Sequence, residues 1–226
     1  MKKIIIAVSV IFCLILFTGT VLAPGIGHAQ VFNNEIGLYT DLSADPASTS
    51  INVESNVLFD VFLLVTNPVN EEFGPPDCAP PIQRDIPIID AIQFRLLIPE
   101  VGLYTMATTP NGTISLWAGT RPDYALAFDV PIPVPENRAV LFITFSFMVL
   151  DTDPKEFFLG PTVSFSWNGL VILDTSEILD PRCPNNGNLQ RVYPVSGDYD
   201  MPVFGINTSV VVTENESFGS VKALYR

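Results

Sequence analysis

Residues 138–150, RAVLFITFSFMVL, constrain this chain more than any other stretch. By parity, Leu141, Ile143, Phe145, Phe147 and Val149 form an unbroken apolar row, while Val140, Phe142, Thr144, Ser146 and Met148 form a mixed one. Successive side chains of a strand point to opposite faces, so the first row predicts one dry face. Ile, Val, Thr and Phe also favour strands. The stretch is expected to be a central strand of a two-layer β protein. Residues 57–67, VLFDVFLLVTN, repeat the pattern, with Val57, Phe59, Val61, Leu63 and Val65 as the dry row.

Shorter extended segments surround these two. Residues 35–41, EIGLYTD, read as a first strand. Residues 89–98 alternate, with Ile92, Phe94, Leu96 and Ile98 on one side and Ala91, Gln93, Arg95 and Leu97 on the other, as in a half-exposed antiparallel strand. Asn111-Gly112 marks a turn. It is followed by residues 113–118, with Ile114 and Leu116 inward and Thr113, Ser115 and Trp117 outward. Tyr124, Leu126, Phe128 and Val130 share a face, and Pro131, Pro133 and Pro135 are expected to close that strand. Residues 151–155 read as a turn. In residues 162–167, Val163, Phe165 and Trp167 alternate with Thr162, Ser164 and Ser166, and Asn168-Gly169 leads into residues 170–173. Residues 190–193 and 203–213 are the last candidate strands. Residues 68–86 hold Pro68, Pro75, Pro76, Pro80 and Pro81, with Pro87 just beyond, and predict a long loop without helix or central strand. With no convincing helical period after the N-terminal segment and no internal repeat, the fold class is all-β, a single antiparallel β-sandwich, rather than a βαβ fold.

The N-terminus carries Lys2 and Lys3, an apolar run from residue 4 to 17, and small residues before a break after Ala29, the pattern of a cleavable signal. The expected organisation is a signal peptide over residues 1–29, a sandwich domain over 30–212 and a C-terminal tail over 213–226. A retained anchor is the alternative, because residues 4–22 approach the length of a bilayer span. No second long apolar run follows. Without Lys2 and Lys3 the chain keeps nine basic against 24 acidic residues, a net charge of −15. That surface disfavours nucleic acid and anionic membrane. The expected location is secreted, periplasmic or at the cell surface. His28, the only histidine, lies in the removable segment. Ser-His-Asp and Cys-His catalysis and histidine-ligated zinc are therefore excluded from the exported chain.

The order of features resembles the cohesin-like and carbohydrate-binding-module-like jelly-roll sandwiches of secreted bacterial proteins. Three pieces carry the resemblance: residues 57–67 ending in a polar "LTN"-type close, residues 91–100 (AIQFRLLIPE), and residues 135–148 (PENRAVLFITFSFM) followed by the "NG-x-V" turn at 168–171. Glu136-Asn137 stands where a glycine turn is usual, so the match is architectural. The end, residues 217–226 (SFGSVKALYR), is similar to the closing "WG-x-[IV]-K-x-LYR" of uncharacterised secreted proteins, with Phe218 in place of tryptophan. Neither resemblance transfers functional residues; together they imply a binding or structural module.

Several residues invite a role. Trp117, with Tyr124, is the candidate glycan contact, since an exposed indole offers a flat surface to a sugar ring. Burial of Trp117 under a loop or the tail is the competing reading. Asp151 with Asp153, and Asp198 with Asp200, each place two carboxylates at i and i+2, and could contribute to a calcium loop. Turn-forming aspartate is the simpler reading of both. No other cofactor is expected. Paired carboxylates could also hydrolyse glycosides, which makes a small secreted hydrolase the alternative function. The favoured expectation is a non-catalytic secreted binding or structural module, its partner an extracellular protein or polysaccharide. Cys78 and Cys183 lie in proline-rich loops, and an exported chain with two remaining cysteines suggests one disulfide. Mass spectrometry of non-reduced digests is expected to find the two cysteine peptides linked; two free thiols would reject the bond.

Overall fold

The computed structural model describes residues 33–71, 83–116, 122–163, 170–175 and 189–210. In chain order the strands are β1 (Glu35–Tyr39), β2 (Ser50–Ile51), β3 (Leu58–Thr66), β4 (Val69–Glu71), β5 (Gln83–Asp85), β6 (Ile88–Leu97), β7 (Leu103–Thr108) and β8 (Thr113–Ser115). They continue with β9 (Asp123–Pro133), β10 (Ala139–Val149), β11 (Lys155–Gly160), β12 (Val171–Leu173), β13 (Leu189–Arg191), β14 (Tyr193–Pro194) and β15 (Phe204–Ile206). The helical content of the described residues is one 3-10 turn, Pro46–Ser48, whose first free amide is met by the Asp45 carboxylate.

Two sheets form the sandwich. The first runs β14-β1-β3-β10-β7. In the second, β6 gives one edge to β9, which continues to β8. Its other edge is shared by β12 at mid-strand and β11 at the end, leading on to β13 and to β15 and β2. Pairing is antiparallel except for two short parallel contacts, β1 with β14 and β2 with β15. The expected all-β sandwich is what the chain forms, with β3 and β10 central in the first sheet.

Aromatic packing joins the layers. Phe147 of β10 meets Phe157 of β11 at 5.2 Å between ring centroids, and Phe142 meets Phe128 of β9 at 5.7 Å. Phe145 stacks on Phe147 within β10, and Phe157 meets Phe204 edge-on within the second sheet. All but Phe128, itself nearly so, are fully buried.

The organising strand departs from a single apolar row. Its register against β3 shifts between Leu141 and Ile143, a β-bulge at Phe142. One extra residue inverts parity, so Val140 and Phe142 face inward before it, and Ile143, Phe145, Phe147 and Val149 after it. Leu141, expected inward, is only half-buried. Val57 is also exposed, because β3 begins one residue later.

Other expectations also need correction. Residues 103–108 and 155–160 are strands that the pattern did not announce. In β11 the inward row is Lys155, Phe157 and Leu159, and a lysine at its head conceals the alternation. Ile114, Leu116 and Val163 are exposed rather than inward; Ile114 sits in the three-residue strand β8, which among the described residues pairs only with β9, and Leu116 and Val163 lie beyond the ends of β8 and β11. Pro131 and Pro133 lie inside β9, which runs past its pairing with β8 and leaves one edge without that neighbour. The second face of β6 is only partly exposed, open at Leu97 and half-open at Arg95 but covered toward the middle of the strand. Ala91 and Gln93 are buried, and Gln93 donates to the Thr162 hydroxyl. The expected loop at 68–86 begins and ends as a hairpin, β4 against β5.

Truncating a fully buried ring leaves a cavity that a two-layer core closes poorly. Phe147→Ala is expected to lower the unfolding free energy by about 3–5 kcal/mol, whereas Leu58→Ala, on a side chain 59% exposed, should change it by less than about 0.5 kcal/mol. Denaturant melts of both variants check this.

Candidate functional site

The bulge settles which side chains of β10 face outward. Beyond it, Thr144, Ser146 and Met148 lie on the outer face of the first sheet. They form three rungs with β3 and β7: Leu58–Met148–Tyr104, Asp60–Ser146–Met106 and Phe62–Thr144–Thr108. The Ser146 hydroxyl donates to Asp60 at 2.6 Å, which places both on that face. Leu58, Tyr104 and Met106 are 59%, 52% and 46% exposed, with Val57 beside Leu58. Aromatic and methionine side chains left to solvent on adjoining strands make a patch of interface type. β3, β7 and β10 contain no lysine or arginine.

Next to β7 a groove of about 450 Å³ opens at the side of the sandwich. Its lining includes Leu96, Ile98, Leu103, Thr105 and Pro122, with Glu100 the one charged residue among the described ones. The start of β7 is held by the neighbouring turn. Gly102 has φ +72°, and a Cβ there would run into the Asp151 carboxylate. Gly102 also accepts a hydrogen bond from Leu150 at 2.9 Å. The buried Lys155 ammonium pairs with Asp151 and donates to the Asp153 carbonyl at 3.3 Å.

The other end of this outer face is closed. Glu35, Gly37 and Tyr39 share it, and a side chain on Gly37 would strike Val195 and the Tyr39 ring. The ring therefore lies back over the glycine, which explains why Tyr39 is 1% exposed on an outward position. Burial pushes the Glu35 carboxyl up to about 7. Burial first, and then the Glu35 charge, raise the Tyr39 phenol.

Trp117, Cys78 and Cys183 lie outside the described residues, as do residues 1–29 and the tail. Tyr124 stacks on Phe94 at 4.8 Å and packs against the core, so its ring serves the interior. Asp151, beside Lys155, also accepts from the Asp153 amide at 3.0 Å, and hydrogen bonding from Lys155 holds its carboxyl below the usual range. Asp198 accepts from the Asp200 amide at 3.2 Å. Both acidic pairs are thus engaged by their own turns. Among the described residues, no three ligating side chains converge to hold a metal ion. Among them, too, no helix is long and apolar enough to cross a membrane.

Sequence reasoning missed Tyr104, Met106 and Glu35. The first two sit on an edge strand whose weak alternation hides it. Glu35 could have been found from the row Glu35-Gly37-Tyr39, where a glycine between outward positions signals that an aromatic neighbour covers it.

No protein-family model matches the chain, and no curated protein matches its sequence. Among solved structures, a type II cohesin domain from the cellulosome of Acetivibrio cellulolyticus is 12% identical. The match covers 80% of this chain and 98% of that one, with a TM-score of 0.43. The second type II cohesin module of the adaptor scaffoldin ScaA from that organism is 7% identical over 84% of this chain and 100% of its own, with a TM-score of 0.40. A type II cohesin–X-dockerin complex from it gives 8% identity over 77% of this chain and 99% of the matched one, with a TM-score of 0.38. The likeness is to the cohesin-like sandwich in outline.

Glu35 makes stability depend on pH. An unfolded glutamate titrates near 4.5, the folded one near 7. Between these values the folded chain holds a proton that the unfolded chain has released, so stability is complete at low pH and falls as pH rises through this window. Glu35→Gln should remove that part of the slope. Urea melts across this range check it; identical slopes for variant and parent would contradict the assignment.

Proposed function

We propose that the chain is a non-catalytic, exported binding module that holds a protein partner on the outer face of β3, β10 and β7. The observation that carries this reading is the exposed row of Leu58, Tyr104 and Met106 with Met148 between the strands. Contiguous apolar surface of this kind is costly to leave in water and is characteristic of an interface. Charge sets the sign of the partner. The chain carries −13 overall, and the face holds Asp60 with no basic residue in its strands. A partner bearing Lys or Arg near its own apolar contacts would be drawn to it.

Export is supported by the N-terminal pattern and by the placing of Cys78 and Cys183 in the sequence. The non-catalytic reading is supported by the lack of histidine beyond residue 28 and by the turn roles of Asp151 and Asp198.

Panning a displayed peptide library against the exported chain tests the reading, with a glycan array run beside it. Selected peptides should combine apolar and basic residues. Tyr104→Ser and Met106→Ser should each weaken their binding about tenfold or more, as for central interface residues, with melting temperatures unchanged. Binding to glycans alone, or peptide binding indifferent to both substitutions, would contradict it.

A further inference from the structure

We propose that the open edge of β7 takes up an extended, lysine- or arginine-bearing segment of the partner as an added β-strand. This rests on reading the adjoining face as the docking surface.

β7 ends the first sheet. β10 pairs with all six of its residues, in register without a shift, and among the described residues no strand pairs with the other edge. An open edge presents unpaired backbone N–H and C=O groups, and proteins ordinarily blunt it with lysine, proline, a bulge or extreme shortness. The opposite edge of this sheet follows that rule, since β14 has two residues and ends on Pro194. β7 does not. Its sequence, LYTMAT, has no charge and no proline, and it is six residues long without a bulge. Such an edge either invites aggregation or is kept for a partner.

The flanks of the edge suit an added strand. Side chains of a strand alternate, so those of an incoming segment would fall in two rows. One row would lie on the outer face beside Tyr104 and Met106. The other would lie beside Leu103 and Thr105 in the lateral groove. That groove mixes apolar side chains with polar surface, and among the described residues its one carboxylate is Glu100. A lysine or arginine fits this chemistry, its aliphatic stem against Leu96, Leu103 and Pro122 and its charged end at Glu100. The charge of the chain, and the absence of basic residues from the face, exclude an acidic segment by the same argument.

The test uses the exported chain and capped peptides that alternate valine with threonine and lysine. In amide hydrogen exchange, the peptide should slow alternate amides of Leu103–Thr108. A copy with N-methyl groups along one edge should bind about tenfold or more weakly, having lost several backbone hydrogen bonds. A copy with glutamate in place of lysine should lose binding, and Thr105→Lys should abolish it. If the N-methylated peptide binds equally well and shifts only outer-face residues, strand addition is wrong while the docking face stands. If no peptide alters exchange in β7 at millimolar concentration, the inference is overturned.

Discussion

The structure depends on a dry layer of phenylalanine rings held between two sheets. Phe145 and Phe147 of β10 stack on each other, Phe147 reaches across to Phe157, and Phe157 reaches Phe204. Each ring removes a large apolar area from water and gains a directed aromatic contact beyond it. Because these rings must face inward, β10 cannot slip by one residue against β3 without turning them all to solvent. The β-bulge at Phe142 reconciles this requirement with the start of the strand. It keeps Phe142 against Phe128 at one end and Phe147 against Phe157 at the other.

From that constraint follows what the outer face looks like. With Ile143, Phe145, Phe147 and Val149 committed inward, Thr144, Ser146 and Met148 must point out, and their neighbours in β3 and β7 follow in register. The face is then treated differently at its two ends. Near β14 it is sealed, with Tyr39 folded over Gly37 and Glu35 half-buried beside it. Near β7 it is open, with Leu58, Tyr104 and Met106 in solvent and a groove alongside.

Much of this was legible in the sequence, and the failures share a cause. β3, β6 and β10 announce themselves because several consecutive inward positions are apolar. The bulge could not be read there, because Val140, Leu141, Phe142 and Ile143 are all apolar and either parity satisfies them. β7 was hidden because an edge strand overhanging the core needs only Leu103 to be well covered, so LYTMAT carries little alternation. β11 was hidden because its first inward residue is Lys155, made tolerable by Asp151, a pairing that sequence spacing alone does not distinguish from an ordinary turn. Ile114 and Val163 misled in the opposite sense. Ile114 lies in a three-residue strand paired, among the described residues, only with β9 and Val163 lies beyond the end of β11, so solvent reaches both despite their strand-like spacing. The candidate face belongs to the same class of problem, since it is defined by cross-strand register rather than by any motif along the chain.

Native-state hydrogen exchange, followed amide by amide in β3 and β10 at increasing denaturant, tests the central claim most directly. If the ring layer holds the two sheets together, the paired amides of Val61–Val65 and Ile143–Phe147 exchange only when the whole sandwich unfolds, with one shared opening free energy equal to the global stability. Exchange of those amides through local openings well below the global value, while strands farther from the rings stay protected, would contradict the account.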